Sequence, residues 1–250
     1  MDNDSVSSSS IYVTGTDTGV GKTLVSTALL HALRARGFRA VGMKPVASGC
    51  LRVDEEWRND DALRLQAASD PRPTYRDLNP YALIQPLAPE VAARDEGVQV
   101  QLEPMMRAWS RLAAQADAVV VEGVGGWAAP LSPSLEQCDL VEALDLQVVM
   151  VVGLRLGCIN HARLTARAIA ADGARLVGWI ASEIDPAMDR IDDSFALLLK
   201  RLDVPCWGRL PYREGASAQD MAPALHLPSW PPMHVSPTSG TGVAGILNVN

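Results

Sequence analysis

Residues 11–23 read IYVTGTDTGVGKT. Ile11, Tyr12 and Val13 are apolar and strand-forming. Small and polar residues follow, ending in Gly21-Lys22-Thr23, and residues 24–33 then carry apolar side chains at helical spacing. A strand, a glycine-bearing turn and a helix N-terminus together make a cradle for phosphate. The glycines let backbone N–H groups approach phosphate oxygens, and the free amides and dipole of the first helical turn favour negative charge. In such a cradle Lys22 reaches the β- and γ-phosphates of a nucleotide and the Thr23 hydroxyl binds Mg²⁺. The spacing is a variant one: five residues separate Gly15 from Gly21 where four are usual, and Thr16 stands where a glycine is expected. A glycine turn bearing a surface lysine is the plainer alternative; the strand–loop–helix context argues against it.

Outward from this stretch, Gly37 is placed to end the first helix. Residues 39–44 (RAVGMK) read as a second strand. It runs into Pro45-Val46-Ala47-Ser48-Gly49, at the strand end where open α/β sheets bind ligands. Residues 60–68 read as a short helix with Asp60 and Asp61 at its start. Residues 79–89, with three prolines, read as loop. Residues 102–115 are helical, and Leu102, Met105, Met106, Trp109 and Leu112 form a core-facing stripe. The apolar run 118–121 is a buried parallel strand that stops at Glu122 before Gly123-Val124-Gly125-Gly126-Trp127. Further strands are expected over 147–152, 176–181 and 205–210, with helices over 161–171 and most of 186–202. Residues 1–10 are a polar, serine-rich lead-in expected to be disordered. From Pro223 onward the chain is rich in Pro, Ser and Gly and is expected to be loosely held. Apolar strands alternating with helices predict one α/β domain of the P-loop NTPase type over 11–222, a mostly parallel sheet with helices on both faces.

Composition narrows the function classes. A chain of 250 residues supports a sizeable core, and a net charge of −7 argues against a nucleic-acid-binding surface. Cys50, Cys138, Cys158 and Cys206 are scattered with no Cys-x-x-Cys, as in a reduced cytosolic protein, and neither they nor the four histidines have zinc-ligand spacing. Asp2 and Asp4 precede a serine run with no apolar core after it, so no signal peptide is expected. No stretch has the length of a membrane span. A cytoplasmic location is the expectation.

Three further residues bear on chemistry. Glu122 follows an apolar strand, the position of a metal-binding acid in P-loop proteins, and its flanking glycines fit close approach of a ligand; it is otherwise a surface acid at a strand end. Asp61 is a second candidate Mg²⁺ ligand or, equally, a helix cap. Lys44 ends a strand before Pro45 and either neutralises a transferring phosphoryl group or is solvated. His161 starts a helix without an evident acid partner, and His31 lies inside the first helix.

VTGTDTGVGKT, MKPVASG, NDDAL, VEGVGGW and LGCINHA, in this order and spacing from about residue 11 to about 213, resemble the dethiobiotin synthetase family. The variant five-residue spacing is itself a family trait. The resemblance implies a ligase of biotin synthesis that acts on 7,8-diaminononanoate, CO₂ and ATP with Mg²⁺. A carbamate forms on one amine, ATP phosphorylates it to a carbamic-phosphoric mixed anhydride, and the second amine closes a cyclic urea. It implies catalytic roles for Lys44, Lys22 and Thr18, and metal binding by Thr23, Asp61 and Glu122. Nucleotide contacts are implied at Gly19, Val20, Gly21, Lys22, Thr23, Asp61, Glu122, Gly123, Val124 and Gly125, and at Ser182, Glu183, Pro211, Tyr212 and Arg213. Substrate contacts are implied at Ser48 and at Gly157, Cys158, Ile159 and Asn160. The last four reach the partner's substrate across a two-fold axis, so a homodimer with shared active sites is expected, with neither nucleic acid nor membrane as partner.

Two departures stand out. Many relatives have a glutamate where this chain has Gly19, and relatives often read adenine with an asparagine where Ser182-Glu183 stands. A serine has fewer donor and acceptor groups than an amide, so another triphosphate is an open alternative to ATP. The competing function is a P-loop ATPase switch of the partitioning or cell-division type. Such proteins often carry an extra lysine early in the loop, at the place of Asp17 here.

Overall fold

The computed structural model describes residues 9–230. Strand β1 (Ser9–Gly15) starts two residues before Ile11, because Ser9 and Ser10 extend its pairing to Ala118 and Val119. Those two serines are therefore sheet rather than lead-in; residues 1–8 lie outside the described residues. Helix α1 (Lys22–Ala35) follows the glycine turn. Gly37 closes it with a left-handed φ of 88° and an N–H bonded to the Arg34 carbonyl, a conformation only glycine adopts freely.

Strand β2 (Ala40–Met43) leads into the short β3 (Val46–Ala47). A hairpin of β4 (Leu51–Val53) and β5 (Glu56–Arg58) comes next, then α2 (Asp60–Ala68) and the single turn α3 (Tyr75–Leu78). The stretch expected as loop over 79–89 contains β6 (Tyr81–Ala82), which pairs in parallel with β3. Helix α4 (Pro89–Glu96) starts on a proline, whose missing N–H costs nothing at a helix start, and ends on left-handed Gly97. Helix α5 (Leu102–Ala113) buries Met105 and Leu112 and packs Leu102, Met106 and Trp109 against the same core. The remaining elements are β7 (Ala118–Glu122), α6 (Gln137–Ala143), β8 (Gln147–Leu154), α7 (Cys158–Ala171), β9 (Arg175–Glu183), α8 (Ile191–Arg201), β10 (Cys206–Leu210) and α9 (Ala218–Met221).

Several boundaries move for identifiable reasons. Strands β8 and β9 hold each other beyond their expected ends through the pairs Gly153 with Ser182 and Leu154 with Glu183. Ser182 and Glu183 thus terminate β9 instead of following it. Helix α7 begins at Cys158 because Gly157, at φ 94°, makes the left-handed entry turn. Cys158, Ile159 and Asn160 are accordingly its first turn. Beyond residue 222 the chain is not loose where it is described. Leu225 and Leu227 are buried, the His226 N–H donates to the Trp207 carbonyl, and the Arg36 guanidinium donates to the carbonyls of Leu227 and Pro228. Residues 231–250 lie outside the described residues.

Among the described residues the central sheet has six parallel strands in the order β10-β9-β8-β1-β7-β2. From β1 the chain builds to one side through β2 and β7, then crosses to the other side for β8, β9 and β10. The loops after β1 and its neighbours therefore diverge at the carboxyl end of β1, where a crevice opens. Apolar clusters line both faces: Leu29, Leu30 and Leu33 of α1 pack on one, and Met105 and Leu112 of α5 with Leu140 of α6 on another. Such burial of strands on both sides explains their near-continuous Val and Ile content.

Candidate active site

Strand β1 delivers the phosphate-type loop to the crevice. Gly15 must be a glycine, since a Cβ there would lie 2.7 Å from Cγ2 of Val20. Val20 itself is buried in the core beneath the loop, so any ligand contact it makes goes through its main chain. Gly21 enters α1 at φ 88°, with the Ser182 hydroxyl 2.5 Å from where its Cβ would be. The Lys22 ammonium donates to the Asp17 carbonyl at 2.8 Å. Burial, with repulsion from Lys44 second, brings its pKa down to about 8. The Asp17 carboxylate accepts from the Thr18 N–H and pairs with Arg155, just past β8.

At the end of β7, Glu122 is fully buried. Its Oε1 accepts from the Thr23 hydroxyl at 2.9 Å and from the Lys44 ammonium at 2.6 Å. Lys44 also donates to the Gly123 carbonyl at 3.0 Å and lies 3.5 Å from Oδ2 of Asp61. Burial alone would lower the Lys44 pKa; the carboxylates of Glu122 and Asp61 outweigh it and hold the pKa above the ordinary lysine value. The cap of α2 is Asn59, whose side chain accepts from the Ala62 N–H. That relieves Asp61 of capping and leaves its carboxylate for Lys44. The Nδ2 of Asn59 also donates to the Ser48 carbonyl, and the Ser48 hydroxyl is buried without a hydrogen-bond partner among the described residues.

These groups border one cleft of about 900 Å³. Thr18, Gly19, Gly21, Lys22, Thr23, Lys44, Ser48, Asp61, Glu122, Val124 and Gly125 all line it. Gly19, at φ 74°, has open space where a side chain would project. Gly123 stays behind the wall and contributes its carbonyl to Lys44.

Other residues expected at the site stand apart from this cleft. Gly157, Cys158, Ile159 and Asn160 line a separate cavity of about 370 Å³ with Arg155 and Arg163. Ser182 is buried behind Gly21. The Glu183 carboxylate accepts from Nε of Arg209 and from the Tyr212 N–H, so it joins the ends of β9 and β10 rather than lining the cleft. Pro211, Tyr212 and Arg213 follow β10 and do not line the cleft either.

The donor set suits a hard divalent cation. Thr23, Asp61 and Glu122 present oxygen atoms only, and Oε2 of Glu122 is buried with no hydrogen-bond partner among the described residues. Among the described residues no three His, Cys, Asp or Glu side chains converge. Mg²⁺, which keeps waters and takes substrate phosphate oxygens, needs no such protein cage. Sequence reading missed Asn59 and Arg155. Asn59 was signalled by its place before Asp60 and Asp61.

Comparison with known proteins bears on this cleft. A protein from Xanthomonas euvesicatoria pv. vesicatoria named ATP-dependent dethiobiotin synthetase BioD is 67% identical over 217 residues, which cover 87% of this chain and 97% of that one. The chain belongs to the ATP-dependent dethiobiotin synthetase family. That family is one of ligases, and the motif-based resemblance agrees with it. A second dethiobiotin synthetase, from Xylella fastidiosa, is 60% identical over 222 residues, covering 88% of this chain and 98% of that one. The family described as AAA domain matches residues 9–220. Among solved structures, a ParA family ATPase from Chlorobium tepidum TLS shares the fold, with a TM-score of 0.51, 15% identity, and coverage of 88% of this chain and 91% of that one. No helix among the described residues is long and apolar enough to cross a membrane.

Proposed function

We propose that this chain closes the cyclic urea of dethiobiotin from 7,8-diaminononanoate, CO₂ and ATP. The observation that carries the reading is the convergence of Lys22, Lys44, Thr23, Asp61 and Glu122 on one cleft at the carboxyl end of β1. Two anions, a carbamate and a triphosphate, have to meet there, and they repel unless cations separate their charges.

In this reading the diamine loses a proton from one amine as that nitrogen bonds CO₂, giving the carbamate. A carbamate oxygen attacks the γ-phosphorus and ADP leaves, giving the mixed anhydride. The second amine attacks the carbonyl carbon, loses a proton, and inorganic phosphate leaves. Lys22 gives up the Asp17 carbonyl to follow the transferring phosphoryl group. Lys44, kept charged by its carboxylate neighbours, faces the carbamate. The orphaned Ser48 hydroxyl and Thr18 line the wall on which the substrate lies. Thr23, Asp61 and Glu122 would hold Mg²⁺, which when bound neutralises phosphate charge.

Residues 157–160 sit outside their own chain's cleft, and Leu156 beside them is 93% exposed. Both features support a homodimer in which this turn completes the partner's site. A cytoplasmic location goes with the same reading and is supported by four free cysteines. ATP is the triphosphate the relatives' names imply; the buried Ser182 leaves no amide to read adenine there, so other triphosphates belong in the test. The partitioning-type switch is not favoured, since the position of its extra lysine is Asp17, already ion-paired with Arg155.

The test is phosphate release from ATP and Mg²⁺ with and without diamine and bicarbonate, with the product read by mass spectrometry. Diamine-dependent release with a cyclic urea product is expected. Release that ignores the diamine would overturn the reading in favour of a switch.

A further inference from the structure

Gln137 opens α6, is 1% exposed, and follows Gly123 by fourteen positions, yet it reaches back to hold the glycine segment. Its Oε1 accepts from the Tyr12 hydroxyl at 2.5 Å and from the Val124 N–H at 3.0 Å. Its Nε2 donates to the Gly126 carbonyl at 2.6 Å and to the Trp127 and Ala129 carbonyls at 3.3 Å each. The partners fix which way the amide points. A backbone N–H can only donate and three carbonyls can only accept, so oxygen must face Val124 and nitrogen must face residues 126–129. Every donor and acceptor of this buried amide is used. That is the condition under which a buried polar group is tolerated and holds its neighbours in one arrangement.

Tyr12 completes the device. It lies on β1 and is buried. Burial first, and the Glu122 charge second, raise its pKa, so the hydroxyl remains a donor. The Tyr12–Gln137 hydrogen bond lies directly behind Gly123. A Cβ on Gly123 would sit 2.5 Å from the Tyr12 hydroxyl and 2.6 Å from Oε1 of Gln137. In front, the Gly123 carbonyl receives the Lys44 ammonium. The same side chain therefore backs the carbonyl that holds Lys44 and anchors the wall formed by Val124, Gly125, Gly126 and Ala129. Opposite that wall stands Thr18, whose Oγ1 lies 3.7 Å from where a Gly125 Cβ would be.

We infer that Gln137 is a positioning residue for the ligase reaction: with Tyr12 it fixes residues 123–129, and through the Gly123 carbonyl it sets Lys44 against the reacting groups. The inference rests on the reading of Lys44 given above. It assigns Gln137 a larger effect on turnover than on nucleotide binding, because the phosphate loop and Lys22 make no bond to it, although Val124 and Gly125 border the same cleft.

The full chain with Gln137→Leu, and separately with Tyr12→Phe, tests this. Steady-state turnover and ADP binding by calorimetry are measured below each variant's melting temperature. Gln137→Leu should lose about tenfold or more in kcat, as expected when a catalytic group is displaced. ADP affinity should fall by clearly less than kcat does, since the phosphate loop and Lys22 keep their own bonds. Tyr12→Phe, which removes a single hydroxyl and keeps the ring, should lower kcat in the same direction by less. Wild-type kcat in both folded variants would overturn the inference, as would equal losses of kcat and ADP affinity. If Gln137→Leu does not fold, Tyr12→Phe decides alone, and full kcat there overturns it. Lys44→Gln run beside them separates the two levels. Wild-type turnover in that variant removes Lys44 from the chemistry and sinks the underlying reading, whatever Gln137 does.

Discussion

Two glycine-bearing loops face each other across the cleft, each associated with one lysine. The loop after β1 is held chiefly by its own sequence, with Arg155 as an exposed outside contact: Val20 plugs it from below, α1 starts at its end, and Lys22 folds back onto the Asp17 carbonyl. The loop after β7 is held by side chains from elsewhere, Gln137 of α6 and Tyr12 of β1. The lysines differ in the same sense. Lys22 rests on a neutral carbonyl with its pKa brought down to about 8, whereas Lys44 is pinned by two carboxylates with its pKa raised. Lys22 is thus a cation short of counter-charge, which a polyphosphate supplies. Lys44 is charged with its counter-ions already in place, and needs no ligand to stay there. One loop waits for its ligand; the other is preorganised.

The sharpest way to break this contrast is to remove the preorganised charge. Lys44→Gln keeps a donor for Glu122 but no charge, and should cut turnover by about a hundred- to a thousandfold. ADP affinity, read by calorimetry, should barely move. Comparable losses in both would mean that the two lysines share one role.

A smaller effect should come from pH acting on Lys22. In the free protein this ammonium loses its proton above about 8, while a bound polyphosphate selects the protonated form. ADP affinity should therefore be insensitive to this group below that value and fall above it, by at most about tenfold per pH unit, with proton uptake on binding. Calorimetry in buffers of different ionisation heat measures the uptake. Lys22→Arg, charged throughout, should flatten the profile; a wild-type profile that is already flat would contradict the assignment.

The smallest effect belongs to the ion pair between Asp17 and Arg155, whose side chains are both more than a third exposed. Arg155→Met should change the stability measured by denaturant unfolding by less than about 1 kcal/mol, since solvent screens such pairs. A larger loss would show that the first loop, too, depends on a distant side chain.

The same contrast explains what could be read in the sequence. The cradle, its lysine and its helix are local: residues 11–33 specify a strand, a turn and a helix by their own periodicity and glycines, and the fold class followed. Asp61 and Glu122 were visible as acids at element ends, but their meeting with Lys44 depends on β2 and β7 lying side by side, which is a matter of strand order. Gln137 left no trace, because an amide at a helix start looks like any other solvated residue until the chain folds back over Gly123. The β9 end was misplaced because Ser182 and Glu183 are polar, and only their pairing with Gly153 and Leu154 keeps them in the strand. Composition also misjudged residues 223–230, where the two buried leucines matter more than the prolines around them.

That stretch ties the end of the described chain to its beginning. Arg36, just past the end of α1, grips the carbonyls of Leu227 and Pro228. The first residue of the same helix is Lys22, and its fourteen residues span about 21 Å. The helix thus has the phosphate-facing ammonium at one end and the residue 225–230 clasp at the other. A tag fused within that clasp, or a cut made just before it, would unseat the far end of the helix that carries Lys22, and a shortened version of this protein should keep its residues through Pro228.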